Sequence, residues 1–166
     1  NNQIKGTVNT RLKYQITDHL NINTLLGVDF RETKNSNFVN PDSYSGRVQT
    51  GRQGLFGEGL VRNFQLVSST GLQFSRTYND RHELDVQGIF ELNRNRYQTF
   101  NYTGYGINPK LPETPAGITP GSASGFIPTV GGQRTENLLI SLISTARYTF
   151  DKKYSFNASY RHDGTS

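Results

Sequence analysis

From Asn137 to Asp163 apolar and polar residues alternate through two successive runs, and this pattern limits the possible fold more than any other. Leu138, Ile140, Leu142, Ala146, Tyr148 and Phe150 share one face of the first run with Ser144, while Ser141, Thr145, Arg147 and Thr149 take the other, interrupted by Leu139 and Ile143. After Asp151-Lys152-Lys153 the alternation resumes, with Tyr154, Phe156, Ala158 and Tyr160 against Ser155, Asn157, Ser159 and Arg161. A repeat of two is that of a β-strand, whose successive side chains point to opposite sides. Three intervening residues set Phe150 opposite Tyr154, so both apolar rows point the same way and the register follows. The product is a ribbon oily on one side and wet on the other. Its strands exceed the five or six residues or so usual in soluble sheets.

The same logic recurs twice upstream. Ile4, Val8, Leu12, Tyr14 and Ile16 alternate with Lys5, Thr7, Asn9, Arg11, Lys13 and Gln15. On a helix, at ~100° per residue, those polar positions would be smeared around the whole surface. A turn at 17–19 sets Ile16 against Leu20, and the return run carries Leu20, Ile22, Thr24, Leu26, Val28 and Phe30 on the apolar side. A third hairpin has Phe64, Leu66, Ser68, Thr70, Leu72 and Phe74 before a turn at 79–82, and Leu84, Val86, Gly88, Phe90 and Leu92 after it. Between the hairpins lie stretches without sustained alternation, 34–53 and 100–134, expected as long loops. The second holds five of the six prolines and seven glycines. The expected architecture is therefore all-β, an antiparallel up-and-down meander of about six long strands, with short turns at one end and long loops at the other.

Composition favours a sheet with one solvated face over an ordinary core. Only 33% of the residues are apolar and 17 are glycine, where globular domains carry roughly 45 to 50% on a count that includes glycine. There is no run of about 18 apolar residues, so a membrane helix is excluded. An alternating membrane strand is not, because it leaves little trace in mean hydropathy. The chain opens in polar residues leading directly into a strand pattern, which leaves either a cytoplasmic protein or one whose N-terminus has been removed. The absence of cysteine removes disulfides and thiolate metal sites. The net charge of +5 is spread through the chain and gives no nucleic-acid patch.

The pattern fits the wall of a membrane β-barrel, where each strand needs about 9 to 11 residues to cross. On that reading Tyr14, Tyr78, Tyr148, Phe150 and Tyr154 near the short turns form an aromatic girdle. Tyr97, Phe100, Tyr102 and Tyr105, at the start of the second long loop, are the candidates for ligand or partner contact. Arg11, Lys13, Asp29, Arg31, Glu83, Asp85, Glu91, Arg147 and Arg161 face the lumen, where ion pairing with neighbouring strands is expected. His19, His82 and His162 lack metal-ligand spacing, no cofactor is implied, and no catalytic constellation is present.

The last 21 residues, from Ala146-Arg147-Tyr148-Thr149-Phe150 through Asp151-Lys152-Lys153 to Tyr160-Arg161-His162-Asp163-Gly164-Thr165-Ser166, resemble a recurrent stretch of the SusC/RagA family of TonB-dependent outer-membrane transporters. There a strand ending in Tyr-x-Tyr/Phe meets a Lys-rich turn and then Tyr-x-x-x-Ala-Ser-x-Arg-x-Asp-Gly-Ser-Ser. Tyr160, His162 and Thr165 depart from it mildly, and the upstream hairpins resemble family strands more loosely. The resemblance implies part of a barrel of about 22 strands in the outer membrane of a Gram-negative bacterium, importing glycans or peptides. Its partners would be outer-membrane lipid, a SusD-like surface lipoprotein, and TonB only through a plug region not in this sequence; 34–53 and 100–134 would be extracellular loops, and 17–19, 79–82 and 151–153 periplasmic turns. Since barrels start at about eight strands, an incomplete segment with two open edges is expected. The rival is a soluble secreted β-sandwich binding carbohydrate. It requires the apolar faces to meet in a dry core and the loops to be of similar length at both ends.

Overall fold

The computed structural model describes residues 2–49, 53–121 and 126–166. Six strands, β1 (Asn2–Thr17), β2 (Leu20–Val39), β3 (Leu55–Tyr78), β4 (His82–Tyr105), β5 (Thr129–Phe150) and β6 (Tyr154–Thr165), form one open antiparallel sheet. Their order in space is their order in sequence. Phe150 stands opposite Tyr154, and the ladder runs on through Ala146 opposite Ala158 to Leu142 opposite His162. Contacts on the other strands fix their registers too. The Thr7 hydroxyl donates to Asp29 at 2.7 Å, and a side chain at Gly27 would meet that of Asn9; counting on from both places Ile16 opposite Leu20. Hydrogen bonds from Ser69 to Glu91 and from Ser75 to Asp85 likewise place Tyr78 opposite His82.

Three strands run on into stretches expected as loops. β2 continues to Val39, β4 reaches Tyr105 and β5 starts at Thr129, while β3 starts at Leu55, just past the first of those stretches. The alternation vanishes there because both faces become polar, yet ladder hydrogen bonds join backbone to backbone and need no apolar row. The connections left are 40–54, with a π-helical turn at Ser45–Gln49, and 106–128, with a 3-10 turn at Pro115–Gly117. Residues 50–52 and 122–125 of the expected loops lie outside the described residues.

The chain divides into two compact units, the first comprising 6–30, 64–96 and 136–166 and the second 1–5, 31–63 and 97–135. In the first, burial is inverted relative to a water-soluble sheet. Ser141, on the polar face, is 1% exposed, while the next residue, Leu142, is 49% exposed. Leu26, Leu72, Val86 and Phe90 are exposed as well, and no hydrophobic residue of this unit is buried among the described residues. That outcome removes the sandwich, whose two apolar faces would have to cover one another.

The second unit holds the two buried hydrophobic side chains among the described residues, Phe56 at 3% and Ile107 at 4% exposure. Ile107 donates its N–H to the Gln53 carbonyl at 2.9 Å and bridges to Ile118. The chain turns into this bridge at Gly106, whose φ of +65° suits glycine. At Gly117 a Cβ would sit 2.2 Å from the Leu111 carbonyl oxygen, so the 106–128 connection packs backbone against backbone there.

Candidate functional site

The functional feature of the first unit is its pair of faces. Even-numbered positions of β1 to β6 carry the apolar row: Leu12, Leu26, Leu72, Phe90 and Leu142 all open to the surroundings. The odd-numbered face is a lattice of short polar contacts. Asp29 accepts from Thr7, Asp85 from Ser75 and Glu91 from Ser69. Gln65 donates to Asn93 at 3.4 Å. Arg161 reaches across to donate to the Ser141 hydroxyl at 3.2 Å while its Nε pairs with Asp163 at 2.9 Å. These three carboxylates take hydrogen bonds from hydroxyls on the adjacent strand, and Glu91 also acts electrostatically on Arg161 of β6.

Tyr14, Tyr78, Tyr148, Phe150 and Tyr154 all lie exposed on the apolar face of the first unit. Phe150 and Tyr154 are paired across the β5–β6 turn. Tyr148 brings its hydroxyl to 2.7 Å from His82 Nδ1, and the His82 ring lies 5.1 Å from that of Phe150. The Arg76 guanidinium sits 4.6 Å over the Tyr78 ring, a cation–π contact. Tyr14 is on β1, at the far end of the strand order from β5 and β6 and near the β1–β2 turn. His82 and Arg76 were missed as partners of these rings; their even numbers, which put them on the aromatic face, were the available signal.

Tyr97, Phe100, Tyr102 and Tyr105 all fall within β4 and not in a loop. Strand alternation separates them, Tyr97 and Tyr105 on one face and Phe100 and Tyr102 on the other. They are therefore not gathered into one site. Tyr102 instead completes a small cluster in the second unit, donating its hydroxyl to Glu58 Oε2 at 2.9 Å while Lys34 Nζ lies 2.7 Å from Glu58 Oε1. The Lys34 hydrogen bond holds the Glu58 carboxyl below its usual range against opposing desolvation. Burial, reinforced by the bond to Glu58, pushes the Tyr102 phenol up to about 12. Beside this cluster lies a hollow of about 440 Å³ lined by Asn35, Asn37, Asn101, Thr103 and the bare backbone of Gly57 and Gly59. Such a lining offers amide and hydroxyl groups and no nucleophile–base pair.

No protein-family model matches the chain, and no curated protein matches it either. Solved structures do. The structure of the RagAB peptide transporter superimposes with a TM-score of 0.84 at 20% identity, over 98% of this chain and 17% of that one. RagAB peptide importer structures in the "open-open" and "closed-closed" states give TM-scores of 0.81 and 0.79 at 19% and 17% identity, each over 99% of this chain. These are transporters, not enzymes, and this chain spans only 17 to 18% of the length of the chains it matches. The chain thus has the fold of part of a RagA barrel, six antiparallel strands in one open meander sheet, as the resemblance in its final hairpin implied.

Proposed function

We propose that this chain is a stretch of the β-barrel wall of a SusC-like TonB-dependent importer in the outer membrane of a Gram-negative bacterium. One observation carries the reading: in the unit comprising 6–30, 64–96 and 136–166, Leu26, Leu72 and Leu142 stand open while Ser141 and Thr149 are covered. Hydrocarbon reverses the usual cost, since apolar side chains are at home in it and polar ones must turn away. Backbone pairing across the sheet meets the other demand of hydrocarbon, that each N–H and C=O find a partner within the protein. The wall is passive in chemistry and holds a polar lumen open for cargo.

The turns at 17–19, 79–82 and 151–153 would lie in the periplasm with Tyr14, Tyr78, Tyr148, Phe150 and Tyr154 as their aromatic girdle. The connections within 34–53 and 100–134 would be extracellular and meet a SusD-like surface lipoprotein. Peptides are the favoured cargo, because the similar structures are those of a peptide transporter; glycans are the second class. Tyr97 and Tyr105, on the polar face of β4, are the aromatic residues suited to touch cargo. Energy coupling to TonB would run through a plug outside this sequence.

Fractionation of cells making the full-length protein tests the reading. It should sediment with outer membranes, need detergent for extraction, and run differently on a gel before and after boiling. Recovery as a monomer in detergent-free buffer would refute it.

A further inference from the structure

On the apolar face of the first unit, Leu66, Leu92 and Leu138 line a hollow of about 470 Å³ whose remaining wall includes Arg94 and Glu136. Every one of these positions is even-numbered, so the charges stand on the same face as the leucines. Arg94 donates Nε to Glu136 Oε1 at 2.6 Å, and Arg96 donates Nε to Oε2 of the same carboxylate at 3.3 Å. Two guanidiniums thus converge on the Glu136 carboxylate. Elsewhere in the chain Arg62 and Glu32 pair one to one. The shared carboxylate steadies both guanidiniums by their Nε edges, and their side chains stay 47% and 42% exposed. A guanidinium fixed by one edge presents the other as a planar fork suited to phosphate oxygens.

We propose that this hollow is a lipid seat, in which Leu66, Leu92 and Leu138 take an acyl chain and Arg94 and Arg96 hold the phosphate of its headgroup. The proposal rests on the barrel-wall reading, which sets this face against lipid. Cations at the end of an apolar face that meets a bilayer stand where anionic headgroups begin. A free anion would have no use for the leucines, and an uncharged lipid none for the arginines. An amphiphile with a phosphate matches both halves.

Lipid retention by the full-length protein in detergent, read by native mass spectrometry, tests this with three probes: phosphatidic acid, diacylglycerol without phosphate, and inorganic phosphate without acyl chains. The wild type should retain phosphatidic acid and neither of the others. Arg94→Gln with Arg96→Gln should weaken that retention by at least about tenfold, and Arg96→Gln alone, should the double variant fail to fold, by about fivefold. Equal retention of diacylglycerol, equal retention by the variants, or competition by inorganic phosphate would overturn the lipid seat while leaving the barrel intact. Loss of the detergent requirement and of the boiling-dependent gel shift, checked before any lipid is added, would overturn both.

Discussion

In the unit of 6–30, 64–96 and 136–166, Leu26, Leu72, Phe90 and Leu142 are open while Ser141 is covered; in the unit of 1–5, 31–63 and 97–135, Phe56 and Ile107 are covered. The second arrangement is one that water tolerates: Phe56 and Ile107 are withdrawn, Phe100, Leu111, Ile127 and Val130 stay exposed among polar neighbours, and carboxylates such as Glu32 and Glu58 are matched to Arg62 and Lys34. The first makes no sense in water. Its alternation would expose a contiguous oily face, with the aggregation hazard that follows. One sheet therefore carries two solvents in its sequence.

The sharpest way to break the comparison is to damage each unit by its own rule. Phe56→Ala should cost about 3 to 5 kcal/mol locally, seen as faster amide exchange at Ile107 in the second unit. Exchange there that does not change would mean Phe56 is no core residue. Next, Leu142→Arg should cost about 2 to 4 kcal/mol in a bilayer, read by denaturant unfolding of the full-length protein in vesicles. Thr145→Arg, on the opposite face of the same strand, should be tolerated; equal damage at both would abolish the distinction between the faces. Smaller again is Thr17→Ala at the β1–β2 turn. It removes a hydroxyl that accepts from the N–H groups of His19 at 3.3 Å and Leu20 at 3.1 Å, so about 1 kcal/mol is expected by the same unfolding measurement.

Titration sharpens the comparison at the polar end of the scale. The Tyr102 phenol is raised from 10.0 to about 12, so the stability it lends is present below pH 10 and lost as pH rises through about 12. Glu58, lowered from 4.5, lends stability above that value and loses it as pH falls through the depressed one. Glu58→Gln should bring the Tyr102 phenolate absorbance part of the way back towards pH 10, because burial is the largest cause and remains. A midpoint that does not move would detach Tyr102 from Glu58.

The strands were readable wherever an apolar row ran along one side, and the Phe150–Tyr154 register followed from the turn length alone. They stopped being readable at Lys34 and Thr99, where both sides turn polar and pairing continues on backbone groups that leave no mark in side-chain chemistry. That is why Tyr97, Phe100, Tyr102 and Tyr105 looked like loop residues. Their separation onto two faces, and the attachment of Tyr102 to Glu58, depend on the β3–β4 register, which sets residues 44 apart beside each other. The Arg94–Glu136–Arg96 group was equally invisible, since it joins β4 to β5 over a connection with no pattern of its own.

The central claim is that the even-numbered residues of β5 from 138 onward meet hydrocarbon and the odd-numbered ones do not. The chain contains no cysteine, so single cysteines placed in turn at positions 140 to 147 of the full-length protein give unambiguous labels within it. With a fluorophore on each and a quencher attached to lipid chains, quenching should be strong at Ile140, Leu142, Ser144 and Ala146 and weak at Ser141, Ile143, Thr145 and Arg147. Quenching that is uniform along the strand, or strongest at the odd positions, would contradict the account.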